Sequence, residues 1–304
     1  RGRWNLTTFD LTGPGQAVIK STGTLDAQNN FKFYVIAGNL HVSNPKMLGG
    51  SAADISKFSG TLSGRLTPEL IKHPLRYLTA TGEVAAANIK LGPQKITTAS
   101  GGFSHSRGRL ALNNFLANLR TGTITLTGTS GVGVPTNLTV ESDGLRVEDM
   151  TLLKVFLPSG FFPMKGGARL SAAFTGTIPA DEQFRNFNFL KRMTLTTNTT
   201  LFNGSVADEA FESLELGLVW KGDQIILSQG QLKTATSDVA MKGIMANQTI
   251  ETEIKGTLDL KNIQPLLRPF GVVRGVLQVD GALKGSLVHH KQIQLSAQVK
   301  GDGF

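Results

Sequence analysis

The chain has 304 residues, a net charge of +9 at pH 7, 17% charged and 7% aromatic residues, and no cysteine. This length suits two ordinary domains or one extended sheet, and the missing thiols exclude disulfides and thiolate metal centres. Low charge with many small and β-branched residues excludes a disordered polyelectrolyte, while basic residues scattered as at Lys90, Lys165, Lys191, Arg192 and Lys242 argue against a nucleic-acid surface and suit anionic lipid headgroups.

From the N-terminus, Arg1-Gly2-Arg3-Trp4 opens almost at once into a strand pattern, and Gly13-Pro14-Gly15 reads as a turn. Thr67-Pro68-Glu69-Leu70-Ile71-Lys72 predicts a short helix, with a threonine cap and proline at the first helical position. Ser106-Arg107-Gly108-Arg109 predicts a hairpin turn into Leu110-Ala111-Leu112. Alternation follows at Ile124 and Leu126, then a Gly-rich turn from Gly131 to Pro135, then alternation at Leu138 and Val140. Residues Val147 to Phe156 predict a short helix stopped by Pro158, and Leu170, Ala172 and Phe174 alternate again. Pro179 to Arg185 predicts a turn of helix. Leu214, Leu216 and Leu218 alternate up to Trp220, then Lys221-Gly222-Asp223 turns the chain into Ile225 and Leu227, a hairpin signature. Val239 and Met241, and Leu277 and Val279, mark further strands, with a helix predicted from Asn262 to Arg268 before Pro269. Ile293, Leu295, Ala297 and Val299 place apolar residues on one face and polar ones on the other. No segment approaches the roughly 20 apolar residues that a membrane-spanning helix needs. Both ends read as cut from something longer, so an anchor would lie outside this chain.

The chain repeats itself at intervals of roughly 105 to 115 residues. Gly23, Gly128 and Gly243 occupy equivalent strand ends, and Leu40-His41-Val42, Leu145-Arg146-Val147 and Leu258-Asp259-Leu260 recur in the same register. The approximate units are 1–78, 79–193 and 194–304, stacked as one continuous segment. Many amphipathic strands and too little helix to cover them leave three solutions: a sandwich, a barrel, or a sheet curled so that its apolar face lines a groove. The repeat, the small residues Ala85, Ala86, Ala87, Ala172 and Ala173, and the scarcity of large aromatics favour the groove. The expected fold is therefore mainly β: an elongated, repeat-built antiparallel sheet curled into a taco-like hydrophobic groove, with a few short helices.

The block from Gly144-Leu145-Arg146-Val147 through a short apolar stretch to Gly166 and Gly176, repeated from Leu258 to Gly275 and Gly285, resembles the AsmA-like superfamily of AsmA, TamB and YhdP type. A weaker copy runs from Leu40 to Gly64. The resemblance covers most of the chain and is one of pattern. It implies a periplasmic bridge, anchored in the inner membrane by a segment outside this chain, that carries phospholipid between inner and outer membranes. It also implies inner- and outer-membrane components as partners, an outer-membrane protein among them for some members. Acyl chains would slide along apolar side chains of the alternating strands: Ile124, Leu126, Leu170, Phe174, Leu214, Leu216, Leu218, Ile225, Leu227, Leu277, Val279, Ile293, Leu295 and Val299. Each of these equally suits an ordinary sheet core, and the groove rests on the set.

Nothing in the sequence assembles a catalytic centre, a metal site or a cofactor cradle. The adjacent His289 and His290 would face opposite sides of a strand, and the segment Gly101 to Ser106 lacks the order of a nucleophile elbow. The expected function is non-enzymatic and without cofactor. The competing readings are a structural or adhesin-like repeat, and a scaffold for outer-membrane protein assembly whose open strand edges pair with client strands.

Overall fold

A computed structural model of the chain describes residues 3–13, 16–44, 51–131, 133–150, 164–177, 192–206, 209–246, 249–263, 274–286 and 294–301. Of these residues, 80% are in strand and 6% in helix. Nineteen strands belong to one antiparallel sheet that does not close on itself, so the mainly-β, open-sheet expectation holds.

The first strands are β1 (Arg3–Thr12), β2 (Val18–Asp26), β3 (Asn30–Gly38), β4 (Leu40–Asn44) and β5 (Ser51–Arg65). Helices α1 (Pro68–Lys72) and α2 (Pro74–Tyr77) follow, then β6 (Thr79–Leu91), β7 (Gln94–Ser106), β8 (Arg109–Asn118), β9 (Thr123–Gly131) and β10 (Pro135–Asp143). The chain continues through β11 (Leu145–Arg146), β12 (Met164–Thr177), β13 (Met193–Val206), β14 (Glu209–Lys221) and β15 (Gln224–Lys233). The last strands are β16 (Asp238–Ala246), β17 (Thr249–Asp259), β18 (Val276–Ser286) and β19 (Gln294–Gly301).

The sheet is a meander in which consecutive strands pair antiparallel, because short turns return the chain beside itself. Arg107 and Gly108 both have positive φ, as a two-residue hairpin turn requires, and Gly222 does the same between β14 and β15. Two strands are broken in an informative way. β3 and β4 both pair with β5, and β10 and β11 both pair with β12. The breaks fall at Asn39 (φ 56°) and Gly144 (φ 64°), one residue ahead of the repeated Leu40 and Leu145. In the first two copies the sequence repeat is thus a left-handed kink, whereas β17 runs unbroken through the third copy at Leu258.

Helix α1 starts as expected: the Leu70 amide donates to Thr67 Oγ1 at 3.2 Å, and proline occupies the first turn. Of the helix expected over 147–156, Val147–Asp149 form a 3-10 turn, and of that expected over 262–268, Asn262 and Ile263 belong to a 3-10 turn Leu260–Ile263. Their remaining residues from 151 and from 264, the segments at 14–15 and 179–185, and His289 and His290 lie outside the described residues.

The internal contacts of the chain divide it into two units. Unit 1 comprises Arg1–Glu141 with Phe174–Met193, and unit 2 comprises Ser142–Ala173 with Thr194–Phe304. Neither unit has a conventional core among its described residues. Of the sixteen buried apolar residues, six are alanines (Ala37, Ala80, Ala99, Ala117, Ala168 and Ala172), and among the described residues Leu145, 1% exposed, is the largest side chain to be fully buried. Protein interiors normally pack large side chains at crystal-like density.

Candidate functional site

In unit 2 the strand registers place side chains into rows that cross the sheet, since directly opposed residues share a face. One row runs Leu214, Leu232, Val239, Gly256, Val279 and on to the position of Val299, from β14 to β19. The next runs Leu216, Gly230, Met241, Ile254, Gly281. A third runs Leu218, Leu227, Gly243, Thr252 and on to the positions of Leu283 and Leu295, and a fourth Trp220, Ile225, Met245, Ile250. On the β13 side, Leu201 opposes Leu214 and Leu195 opposes Trp220. A bulge in β15 between Leu227 and Gly230 keeps both on this face. The result is a continuous apolar surface. Its Leu, Ile and Met side chains are mostly half-buried, the state of a face shielded only by its own neighbours.

The opposite face of unit 2 is wet. Lys255 pairs with Asp280 at 3.4 Å and Lys284 with Glu251 at 3.3 Å, all four side chains well exposed. Such pairs add little stability, on the order of 0–1 kcal/mol each. They do mark which side belongs to water. At one rim the 3-10 turn Leu260–Ile263 lies against both β14 and β17, with Leu260 buried and its amide bonded to Gly275 O at 2.9 Å. The neighbouring amide of Asp259 donates to Ser237 Oγ at 2.8 Å.

Unit 1 repeats the arrangement with aromatics. Trp4, Leu25, Phe31 and Gly64 form one row, and Leu6, Gly23, Phe33, Leu62 and Ala80 the next. A third carries Phe9, Ser21, Val35, Gly60, Gly82, Phe103, Leu112 and Gly128. Phe31 and Phe33 stack with centroids 5.4 Å apart, and Phe58 and Phe103 tilt together at 5.8 Å. The alternate residues Lys32 and Tyr34 with Thr22 and Thr24 occupy the other side.

Most of the expected lining residues meet in these surfaces. Leu214, Leu216, Leu218, Ile225, Leu227, Leu277 and Val279 share the unit 2 face, and β19 carries Leu295 and Val299 in register with it. Ile124 opposes Ala117, and Leu126 opposes Phe115, on the unit 1 face. Leu170 (unit 2) and Phe174 (unit 1), both half-buried, alternate with Ala172 along β12. Ile293 lies outside the described residues. Reasoning from the sequence missed Leu232, Met245, Ile250, Ile254 and the whole aromatic set of β1 and β3. Val239 and Met241 were visible as an alternating run but not placed on the face. A signal existed for the aromatics in the alternation Phe31-Lys32-Phe33.

The sequence also missed a polar network. His41 Nδ1 lies 2.8 Å from Asp54 Oδ1, and Asn88 Nδ2 donates to Asp54 Oδ2 at 2.8 Å. Asn88 sits at positive φ (51°) in a bulge of β6 that swings its amide towards β5. The hydrogen bonds from His41 and Asn88 hold the Asp54 carboxyl below the ordinary 3.8. All three groups are exposed, so the network trims a strand junction rather than forming a pocket. Recesses in unit 2 of about 260 Å³ beside Arg146, Gly167 and Phe202, and about 320 Å³ beside Lys255, Val279 and Gln298, are at or below the lower end for small-molecule pockets. No group of His, Cys, Asp and Glu suited to a metal occurs among the described residues. No known protein family, curated protein or solved structure matches the chain.

Proposed function

We propose that the chain is a non-enzymatic, phospholipid-conducting segment of AsmA-like type, working in the periplasm between the inner and outer membranes. The observation that carries this reading is the continuous, half-buried apolar surface of unit 2, with no covering layer among its described residues. Transferring an acyl chain from a bilayer into water costs about 0.8 kcal/mol per exposed methylene. A surface of Leu, Ile, Met and Gly removes most of that cost while the headgroup stays in solvent at the edge. Because the rows present methyl groups rather than hydrogen-bond donors, attraction is non-directional and the lipid slides from row to row. Flexible Met241 and Met245 suit a ligand of variable shape.

The test is native mass spectrometry and lipid extraction on the chain purified from a membrane-containing host. Phospholipid is expected to co-purify and to be lost in Leu216→Asp and Leu227→Asp, whose circular dichroism stays that of the parent because neither side chain is fully buried. A lipid-free parent chain sinks the proposal and leaves the structural-scaffold reading in its place.

A further inference from the structure

Most strand connections of unit 1 are tight, but the one from β5 to β6, residues 66–78, is long and ordered. The Leu66 amide donates to Asn29 O at 2.7 Å, His73 N to Glu69 O at 2.9 Å and Arg76 N to His73 O at 3.0 Å. At the return, His105 Nδ1 lies 3.0 Å from Leu78 O. With its backbone so fixed, the connection buries Leu70 yet leaves Leu66 48%, Ile71 74% and Tyr77 46% exposed. Isolated exposed leucines are unremarkable in a soluble chain. Three large apolar side chains held outward on one short, ordered projection are a different matter.

The charges around them have one dominant sign. Arg65, Lys72 and Arg76 are exposed, against Glu69; Arg65 also interacts with Asp26 of β2, which leaves Lys72 and Arg76 as the cations nearest Ile71 along the chain. An aliphatic side chain at the tip, a tyrosine and flanking basic residues match the water–lipid boundary of a bilayer with anionic headgroups: methyl groups enter the acyl region and cations meet phosphate. A short, rigid projection loses little conformational entropy on docking, because its backbone is already hydrogen-bonded. We propose that the β5–β6 connection docks the protein on the surface of an anionic phospholipid bilayer. The connection adjoins the end of the first apolar row of unit 1, where the Tyr77 carbonyl lies against Gly64 beside the Phe31 ring, but the docking proposal does not depend on the transport reading.

Flotation of the full chain with vesicles tests this. The chain is expected to float with vesicles containing phosphatidylglycerol at low salt, and much less with phosphatidylcholine alone or at high salt. Ile71→Glu is expected to weaken binding roughly tenfold or more, from the lost burial of one large aliphatic side chain. The double change Lys72→Glu with Arg76→Glu should remove the preference for anionic vesicles. Ile226→Glu, at an exposed position on the wet face of β15, should leave flotation unchanged; Ile71→Glu in turn should leave co-purified lipid unchanged. Flotation of Ile71→Glu equal to the parent, or no flotation of a folded parent, overturns the proposal. So does loss of flotation in Ile226→Glu equal to that in Ile71→Glu. A parent that ignores vesicles but self-associates through Ile71, seen by sedimentation velocity, overturns it in favour of a contact between copies.

Discussion

A methyl group added at Gly243 would run into the carbonyl oxygen of Glu251 on the next strand, one at Gly23 into that of Lys32, and one at Gly128 into that of Asn137. The three glycines of the repeat thus mark the same event, a neighbouring strand approaching closer than any side chain allows. Gly128 also has φ 126°, a conformation that other residues avoid. Gly128→Val is therefore expected to destabilise the fold by about 1–3 kcal/mol from backbone strain alone, read as a lower urea midpoint. Three carboxylates set the acid response. Hydrogen bonds from Asn30, and from the backbone at Gln28, hold Asp26 low; His41 and Asn88 do so for Asp54, and the Lys261 amide and Thr236 for Asp259. Each pKa lies below the value of 3.8 that serves for the unfolded chain. Their stabilisation is present in full above that value and disappears as pH falls through the lower folded pKa. The gap in thermal midpoint between the parent and Asp54→Ala should accordingly close between neutral pH and pH values well below 3.8. A gap that persists unchanged would mean that the carboxylate charge is not what matters there.

At the level of the element, alternation made the hairpins legible before any coordinates: Leu214 to Trp220, the Lys221-Gly222-Asp223 turn and Ile225 to Leu227 pair as the spacing predicts. The Thr67-Pro68 start was equally plain, because capping is a local matter. The 3-10 turns at Val147–Asp149 and Leu260–Ile263 begin the apolar stretches that the repeat marks, and the residues that would extend them lie outside the described ones. The cross-strand use of aromatics was invisible in the sequence. Phe33 packs over Gly23, Phe115 over Gly101 and Phe202 over Gly167, and the pairing of a ring with a bare backbone depends on register, which a single strand does not encode. The turn Leu260–Ile263 offers the clearest element-level test. Leu260→Ala removes the buried side chain that seats this turn on β14 and β17, and should cost about 2–5 kcal/mol. Hydrogen exchange is then expected to quicken first at Asp259 and Leu260, whose amides are bonded to Ser237 and Gly275.

For the whole molecule, the surface removed from water on folding governs both urea sensitivity and the heat-capacity change. Two units whose large apolar residues stay half-buried should show a urea m-value below that of a compact domain of the same length. A value as high as a compact domain's would mean that these faces are covered in solution. The scarcity of helix already implies uncovered strands, a problem that the sheet itself must solve. The sequence could not supply the identity of the surface. Which apolar residues stand together follows from the bulge in β15 and the kinks at Asn39 and Gly144, each shifting the alternation by a step that composition does not record.

The meander has one more consequence. Because consecutive strands are neighbours in the sheet, adding or removing one complete hairpin brings the chain back to the rim it left, still pointing the same way, with odd and even positions keeping their sides. A single added strand would reverse the direction of everything after it. Such a protein changes length most simply in steps of two strands, so duplication of one hairpin's coding stretch lengthens the greasy side without rewriting its pattern.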